Sequence, residues 1–183
     1  KINKIKSSAL LMDREQSLVI FGFQTVSVEN DDRYALDLLG SILSGSSGRL
    51  FSVMRDKLSL AYALGCIQKL AKDTGYFALY AATQKEKVAQ ARKVLREEIV
   101  RIKKELAGDE ELAMAKRELA TSYDIAAQTN LFFSQNSAID ELNGLGYDNL
   151  YKYKKAIDKV TKEDVRRAAE KYFDLAAYAE VII

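Results

Sequence analysis

Residues 62–83, with the sequence YALGCIQKLAKDTGYFALYAAT, contain two apolar segments on either side of a polar turn. The segments Tyr62–Ala71 and Tyr76–Thr83 have the length of β-strands, and Lys72-Asp73-Thr74-Gly75 joins them. Gly75 can adopt the positive φ angle that a tight turn needs. These residues therefore predict a β-hairpin, and with it an antiparallel sheet.

Three further segments are predicted to be strands. Ile2–Met12 and Gln16–Val28 precede the hairpin, and Ala177–Ile183 lies at the end of the chain. Between Leu18 and Phe23 the second of these segments is apolar on both faces. This pattern is typical of a central strand that is covered on both faces of its sheet.

Helical patterns separate these strands. Asn30 is a predicted N-cap, and the leucines that follow it at spacings of three and four residues line one helix face. The small residues Ser44-Gly45-Ser46-Ser47-Gly48 are expected to end this helix. A shorter helix is predicted over Arg49–Lys57.

After the hairpin the apolar residues follow a helical period throughout Lys85–Leu106. Gly108 is expected to close this helix, and Asp109 is expected to cap the next one. The helical pattern continues to Leu142, where Asn143-Gly144 ends it.

A last pair of helices is predicted before the final strand. One covers Asp148–Asp158, and the other begins at Thr161. Thr161 and Asp164 have the spacing of a capping box, and Val160 can pack against Val165 as a hydrophobic staple.

The order of elements is two strands, two helices, two strands, several helices and one strand. Consecutive strands favour antiparallel pairing, so the predicted fold class is α+β, a two-layer sandwich with the helices on one face of the sheet. No linker rich in Pro, Gly or Ser divides the chain, so residues 1–183 are expected to form a single domain. Because the chain starts without Met and ends inside an apolar strand, we expect a fragment of a larger protein.

The composition is that of an ordinary globular protein, with 48% hydrophobic and 30% charged residues. A net charge of only +2 argues against a nucleic-acid partner. The alternating tyrosines and lysines of Tyr151–Lys155 are therefore interpreted as a helix edge and not as a base-stacking surface. No apolar run approaches the roughly 20 residues of a membrane-spanning helix, and no signal peptide is visible. We expect a soluble protein without a membrane partner, cytoplasmic or periplasmic if bacterial.

The chain has no histidine and one cysteine, Cys66. Ser-His and Cys-His nucleophile pairs are therefore impossible within this chain, and so are the common zinc sites. Cys66 lies in an apolar segment, where we expect a small core residue and not a reactive thiol. Phosphate-binding, dinucleotide-binding and EF-hand motifs are absent.

Arg55 and Tyr62 are the candidate functional residues, seven positions apart across a predicted helix–strand junction. A guanidinium and a phenol can hold a peptide backbone or an oxyanion, but they cannot activate a nucleophile. Considered alone, they are equally compatible with structural roles. Arg55 could pair with Asp56 or a helix end, and Tyr62 could pack at a strand edge.

The residues around this pair form an ordered set of motifs: Leu43-Ser44-Gly45-Ser46-Ser47-Gly48-Arg49-Leu50-Phe51, Arg55, Leu60-Ala61-Tyr62, Asp73-Thr74-Gly75-Tyr76-Phe77, Glu111-Leu112 with Ala115-Lys116, and Val160-Thr161-Lys162-Glu163-Asp164-Val165. In this order and spacing the chain resembles the pitrilysin/insulinase family of zinc peptidases, which includes processing peptidases. The catalytic halves of that family carry the inverted H-x-x-E-H motif.

The resemblance implies a fold and different roles for the two halves of the enzyme. Members of the family are built from homologous α+β domains with the processing-peptidase/LuxS-like metallohydrolase fold, and these domains pair as two halves. One half holds zinc through two His and a distal Glu. The C-terminal half lacks the metal motif and contributes an Arg and a Tyr that reach the bound peptide. Arg55 and Tyr62 match those two positions, so the chain resembles the metal-free half.

A role for each residue follows from the resemblance. The peptide substrate would bind extended in a homologous catalytic half, which is either upstream in the same chain or a separate subunit. Tyr62 would donate its O–H toward the scissile carbonyl or oxyanion, and Arg55 would hold a neighbouring carbonyl or position Tyr62. The resemblance places zinc in the partner half and implies no cofactor in this chain, which by itself is expected to be inactive.

Two positions depart from the family pattern. Gly48 stands where Ser is more usual, and Ser59 stands where Gly commonly precedes Leu-Ala-Tyr. The alternative function is a catalytically silent scaffold or assembly subunit, which has no need of Arg55 and Tyr62. A helical interaction module built on Lys85–Leu106 is less favoured, because that apolar face is expected to pack on the sheet.

Overall fold

A computed structural model describes residues 2–45 and 47–183. Lys1 lies outside the described residues, and so does Ser46 of the predicted helix break. Within the described part of the chain, the strands form one sheet in the order β1-β5-β2-β4-β3. The β1–β5 pair is parallel and the other pairs are antiparallel. The strands are β1 (Lys6–Ala9), β2 (Gln16–Thr25), β3 (Ala63–Leu70), β4 (Gly75–Gln84) and β5 (Ala179–Ile182).

The helices follow the predicted order. A π-helical segment, Phe51–Lys57, comes after the first α-helix, and short 3₁₀ turns at Lys85–Lys87 and Asn149–Lys152 precede the second and fifth. The α+β class is therefore confirmed. The α-helices are α1 (Asp32–Ser44), α2 (Val88–Lys104), α3 (Asp109–Ala126), α4 (Asn130–Leu142), α5 (Tyr153–Lys159) and α6 (Lys162–Tyr172).

The hydrophobic core lies between one face of the sheet and the helices. Val19, Phe21 and Phe23 alternate along β2 and are almost completely buried. Opposite them, α1 and α2 bury leucines such as Leu39 and Leu95. Burial of each such side chain contributes about 1.5–3 kcal/mol, so this face is the main source of stability.

The other face of β2 is not covered, and the prediction of a doubly covered strand was wrong. Leu18, Ile20 and Gly22 alternate with the core residues and remain partly exposed. In the next strand, Ala78 lies opposite Gly22. The continuous apolar run therefore combines a true core face with a face of small and medium side chains that the helices do not reach.

The β3–β4 hairpin is confirmed, with Ala63 opposite Ala82 and Leu70 opposite Gly75. The reason for the glycine differs from the prediction, because Gly75 does not have a positive φ angle. A Cβ atom at Gly75 would lie 2.5 Å from the carbonyl oxygen of Val26 and 2.6 Å from that of Lys69. Glycine is required here by the close approach of two backbone segments.

The first predicted strand is much shorter than expected. The strand covers Lys6–Ala9, and the Leu10 N–H adds one hydrogen bond to Ile182, whereas Ile2–Met12 was predicted. Leu11 is completely exposed beyond the end of β1. The apolar residues of this segment are therefore no sign that the segment is buried.

Two predicted helix ends are confirmed by their hydrogen bonds. The Thr161 hydroxyl accepts a hydrogen bond from the Asp164 N–H at 3.1 Å, and the Asp164 carboxylate accepts one from the Thr161 N–H at 2.9 Å. Gly144, just after α4, has a φ angle of +79°. Both helix ends are determined by residues less than one helical turn apart, and such local patterns can be recognised in the sequence.

The α2–α3 connection differs from the prediction. Gly108 does not close α2, which ends at Lys104, and Asp109 is the first residue of α3 and not its cap. The Gly108 N–H donates to the Glu111 carboxylate at 3.2 Å, so the free backbone donor is satisfied from inside the helix. No helix of the described residues is both long and apolar enough to cross a membrane.

Candidate functional site

The structure brings Arg55 and Tyr62 to the same cavity. Arg55 belongs to the π-helical segment and Tyr62 immediately precedes β3. Both side chains are exposed, Tyr62 to 57%. The cavity has a volume of about 320 Å³, and its lining residues are Arg55, Ser59, Leu60, Ala61, Tyr62 and Gln84.

Arg55 is positioned by an unusually wide helical turn. The Leu58 N–H donates to the carbonyl oxygen of Val53, five residues earlier, at 3.1 Å. The Met54 carbonyl then accepts from the N–H groups of Leu60 and Ala61, at 2.6 and 3.3 Å. Since the Met54 side chain is fully buried, the loop between Arg55 and Tyr62 is anchored to the core.

The guanidinium of Arg55 is available to a ligand. It lies 4.8 Å from the centre of the Phe51 ring, a distance compatible with a cation–π contact. Within residues 2–45 and 47–183 it forms no ion pair, so the structural alternative of pairing with Asp56 is not observed. Arg55 therefore lines the cavity with no carboxylate of the described residues paired to its N–H donors.

Tyr62 is held at its backbone and at its hydroxyl. Its N–H donates to the carbonyl oxygen of Ala82 at 2.9 Å, and its phenol oxygen accepts from Nε2 of Gln84 at 3.0 Å. With more than half of its surface exposed, the ring is not part of the core. The alternative of a strand-edge core residue is therefore not observed either.

Ser59 adopts the left-handed backbone conformation, with a φ angle of +48°. This conformation costs a residue with a side chain about 1–2 kcal/mol, whereas glycine adopts it freely. The finding gives a physical reason for the glycine that commonly stands at this position in the family that the motifs resemble.

Gly48 is confined by the backbone at the end of α1. A Cβ atom there would lie 2.6 Å from the carbonyl oxygen of Leu43, and the Gly48 N–H donates to the Gly45 carbonyl at 2.8 Å. A serine at this position therefore needs a different path for the loop. The departure at Gly48 is accommodated by a tight local turn that precedes the segment carrying Arg55.

A partly buried ion pair supports the segment that carries Arg55 and was not predicted from the sequence. Arg49 is 8% exposed, and its Nε and Nη2 each donate to the Glu111 carboxylate at 2.7 Å. Burial raises the pKa of Glu111, but the hydrogen bonds and charge of Arg49 outweigh it and the pKa is lowered. Both residues lie in the motifs quoted above, but 62 positions separate them.

Neither Cys66 nor a cluster of acidic side chains forms a second reactive site within residues 2–45 and 47–183. Cys66 is partly buried against the hydrophobic core, and burial of the thiol raises its pKa to about 12, so the structure supports the predicted small apolar residue without a reactive thiol. In the described ranges, no group of three or more His, Cys, Asp or Glu side chains is arranged to hold a metal ion.

The sequence matches the family model described as "Peptidase M16 inactive domain" over residues 3–119. An uncharacterized zinc protease of Rickettsia felis is 30% identical over 96% of this chain and 43% of the relative. An uncharacterized zinc protease of Rickettsia bellii is 29% identical over 93% of this chain and 42% of the relative. The chain thus spans less than half the length of these curated relatives.

Two solved structures share the fold. A protease from Helicobacter pylori has a TM-score of 0.89 at 20% identity, over 100% of this chain and 45% of the other. The peptidase M16 inactive domain from Pseudomonas fluorescens has a TM-score of 0.85 at 22% identity, over 97% of this chain and 42% of the other. At these identities the likeness establishes the fold alone.

Proposed function

The chain belongs to the peptidase M16 family as its inactive domain, and on this premise we propose that it is the substrate-binding, metal-free half of a zinc peptidase. In this proposal residues 1–183 form one domain of a two-half enzyme, and Arg55 and Tyr62 extend into the chamber between the halves. One observation carries the proposal: the two exposed side chains line the same cavity, and among residues 2–45 and 47–183 Arg55 has no ion-pair partner and the Tyr62 ring is not packed in the core.

Tyr62 is proposed to stabilise the transition state. Its O–H is a neutral donor that can reach the scissile carbonyl, where negative charge develops during hydrolysis. A donor that is already oriented toward this charge is worth about 3 kcal/mol. The anchoring of the loop on Met54 and Ala82 supports this role, because the donor must be held in place before the reaction.

Arg55 is proposed to hold the peptide near the reacting bond. A guanidinium presents several N–H donors in a plane and remains charged at every physiological pH. Such a group suits backbone carbonyl oxygens, which every peptide offers regardless of its side chains. Zinc in the partner half supplies Lewis acidity and an activated water when it is bound.

The proposal is tested by measuring the peptidase activity of the zinc-binding half with and without this chain. We expect no cleavage from this chain alone, and strong cleavage only when both halves are present. The variants Arg55→Ala and Tyr62→Phe should assemble normally and lower this activity. Arg117→Ala on α3 and Tyr147→Phe are matched controls, because both side chains are exposed outside the cavity.

The alternative, a silent scaffold or assembly subunit, predicts a different result. A scaffold would be needed for assembly, but full activity would survive the loss of both Arg55 and Tyr62. Unchanged turnover of the double variant in a correctly assembled complex would therefore replace the peptidase-half proposal with the scaffold.

A further inference from the structure

The loop that carries Tyr62 is bonded at several points to the end of β4. The carbonyl oxygen of Leu60 accepts from the Thr83 hydroxyl at 2.5 Å in a buried position. The carbonyl oxygen of Ser59 accepts from the Lys87 ammonium at 3.3 Å. Together with the bond from the Tyr62 N–H to Ala82, these contacts hold the backbone of the loop.

Gln84 adds a contact that reaches the phenol group itself. Its Nε2 donates to the Tyr62 phenol oxygen at 3.0 Å, and its side chain lines the same cavity as Arg55 and Tyr62. We propose that Gln84 is a positioning residue that fixes the direction in which Tyr62 presents its O–H to the substrate. This inference rests on the proposed function of Tyr62.

Which of the two groups donates in this hydrogen bond decides whether the Tyr62 O–H remains available to a substrate. A phenol has a single hydrogen to donate, while its oxygen can also accept. When the oxygen accepts from the Gln84 amide, the hydroxyl hydrogen of Tyr62 has no acceptor among residues 2–45 and 47–183 and is available to an oxygen atom in the cavity. A donor at the phenol oxygen also polarises the O–H and strengthens the bond that it makes.

Exposure explains why such a contact is needed. The Tyr62 ring is 57% exposed, so core packing does not fix its orientation. The anchored backbone sets the position of the Cα atom but leaves the side-chain torsions free. The Gln84 amide restricts the ring at its far end, where a small rotation displaces the hydroxyl most.

The chain contains a matched control for Gln84. Gln16 lies directly opposite Gln84 in the β2–β4 pair, is the same residue type and is exposed. It does not line the cavity that contains Tyr62. A substitution at Gln16 therefore repeats the chemical change at the same end of the sheet without removing the contact with Tyr62.

The test uses the assembled peptidase and the variants Gln84→Met, Gln84→Glu and Gln16→Met. Met has a similar length without a donor, and Glu keeps the shape but offers only acceptors. We expect both Gln84 variants to lower kcat about five- to tenfold, with KM changed less than about twofold, because one oriented hydrogen bond is lost. Gln16→Met should leave both constants unchanged, and all three variants should keep the melting temperature of the native protein.

A double-mutant cycle separates positioning from a merely structural effect. In the Tyr62→Phe background the phenol oxygen is absent, so Gln84→Met should lower kcat less than about twofold further. Losses that multiply independently would overturn the inference. Full activity of Gln84→Glu would also overturn it, because Tyr62 would then be the donor to residue 84.

Failure of this inference is distinguishable from failure of the proposed function. If Tyr62→Phe lowers turnover strongly and Gln84→Met does not, only the positioning role of Gln84 is wrong. If Tyr62→Phe leaves turnover unchanged, the catalytic role of Tyr62 is wrong and there is no hydroxyl for Gln84 to position.

Discussion

Arg49 and Glu111 are joined by two parallel hydrogen bonds of 2.7 Å each, from the guanidinium to the carboxylate. The pair ties the residues just before the π-helical segment Phe51–Lys57 to the first turn of α3. Glu111 is itself held by the N–H of Gly108. The position of Arg55 therefore depends on a contact between distant parts of the chain.

Glu111→Gln should destabilise the chain at neutral pH. The variant leaves the buried Arg49 charge without a counter-ion, which costs about 3 kcal/mol in the free energy of unfolding. Urea denaturation measures this loss, with Glu110→Gln on the exposed side of the same turn as the control. Equal stability of the two variants would show that the ion pair does not support the fold.

The same residue gives a dependence on pH with a definite sign. The folded pKa of Glu111 lies below its ordinary value of 4.5. Its contribution is therefore complete above that value and is lost as the pH falls through the lowered pKa. In Glu111→Gln this part of the acid sensitivity should disappear from the stability profile.

Asp37 should behave in the opposite way. Burial raises its pKa from 3.8 to about 6, against the lowering effects of the Tyr153 hydrogen bond and the Arg33 charge. Between these two values the folded state binds more protons than the unfolded state, so stability falls as the pH rises from about 4 to about 6. The loss is at most about 3 kcal/mol.

Asp37→Asn keeps an acceptor for Tyr153 and removes the titration. The variant should equal the native chain in stability near pH 4 and exceed it near pH 7, as measured by urea denaturation at both values. A variant that is less stable than the native chain at pH 7 would contradict this explanation of the Asp37 pKa.

Ser59→Gly should stabilise the chain by about 0.5–1 kcal/mol, because the release of the left-handed backbone strain outweighs the entropy that glycine loses on folding. Ser59→Val should destabilise it by at least about 1 kcal/mol, since a branched side chain tolerates a positive φ angle poorly. Thermal or urea denaturation of both variants checks the prediction. The reverse order of stability would mean that residue 59 is not strained.

Several features of the fold were predictable because they depend on neighbouring residues. The apolar strand-length segments of the β3–β4 hairpin, the helical period of α2 and the Thr161–Asp164 capping box each depend on residues that lie close together in the sequence. In each case the residues that form the sequence pattern all lie within one turn, one hairpin or one helix. The prediction of fold class needed only these elements and their order.

Features that depend on long-range contacts were not predictable in this way. The uncovered face of β2 is apolar like the buried one, so its pattern does not reveal which side the helices occupy. The Arg49–Glu111 pair spans 62 positions, and the Gln84–Tyr62 contact spans 22. Sequence motifs made Arg55 and Tyr62 the candidate residues, but only the structure relates them to the residues that hold them.

Tyr62 of this chain is proposed to act on a peptide whose cleavage requires zinc in the partner half. The direct measurement is kcat/KM for a peptide substrate with Tyr62→Phe in the assembled peptidase, with zinc content determined on the same sample and Tyr147→Phe as the control. The account predicts that kcat/KM falls about 10²- to 10³-fold in Tyr62→Phe while zinc content and assembly are unchanged. Native kcat/KM in a fully assembled, zinc-loaded Tyr62→Phe enzyme would contradict it.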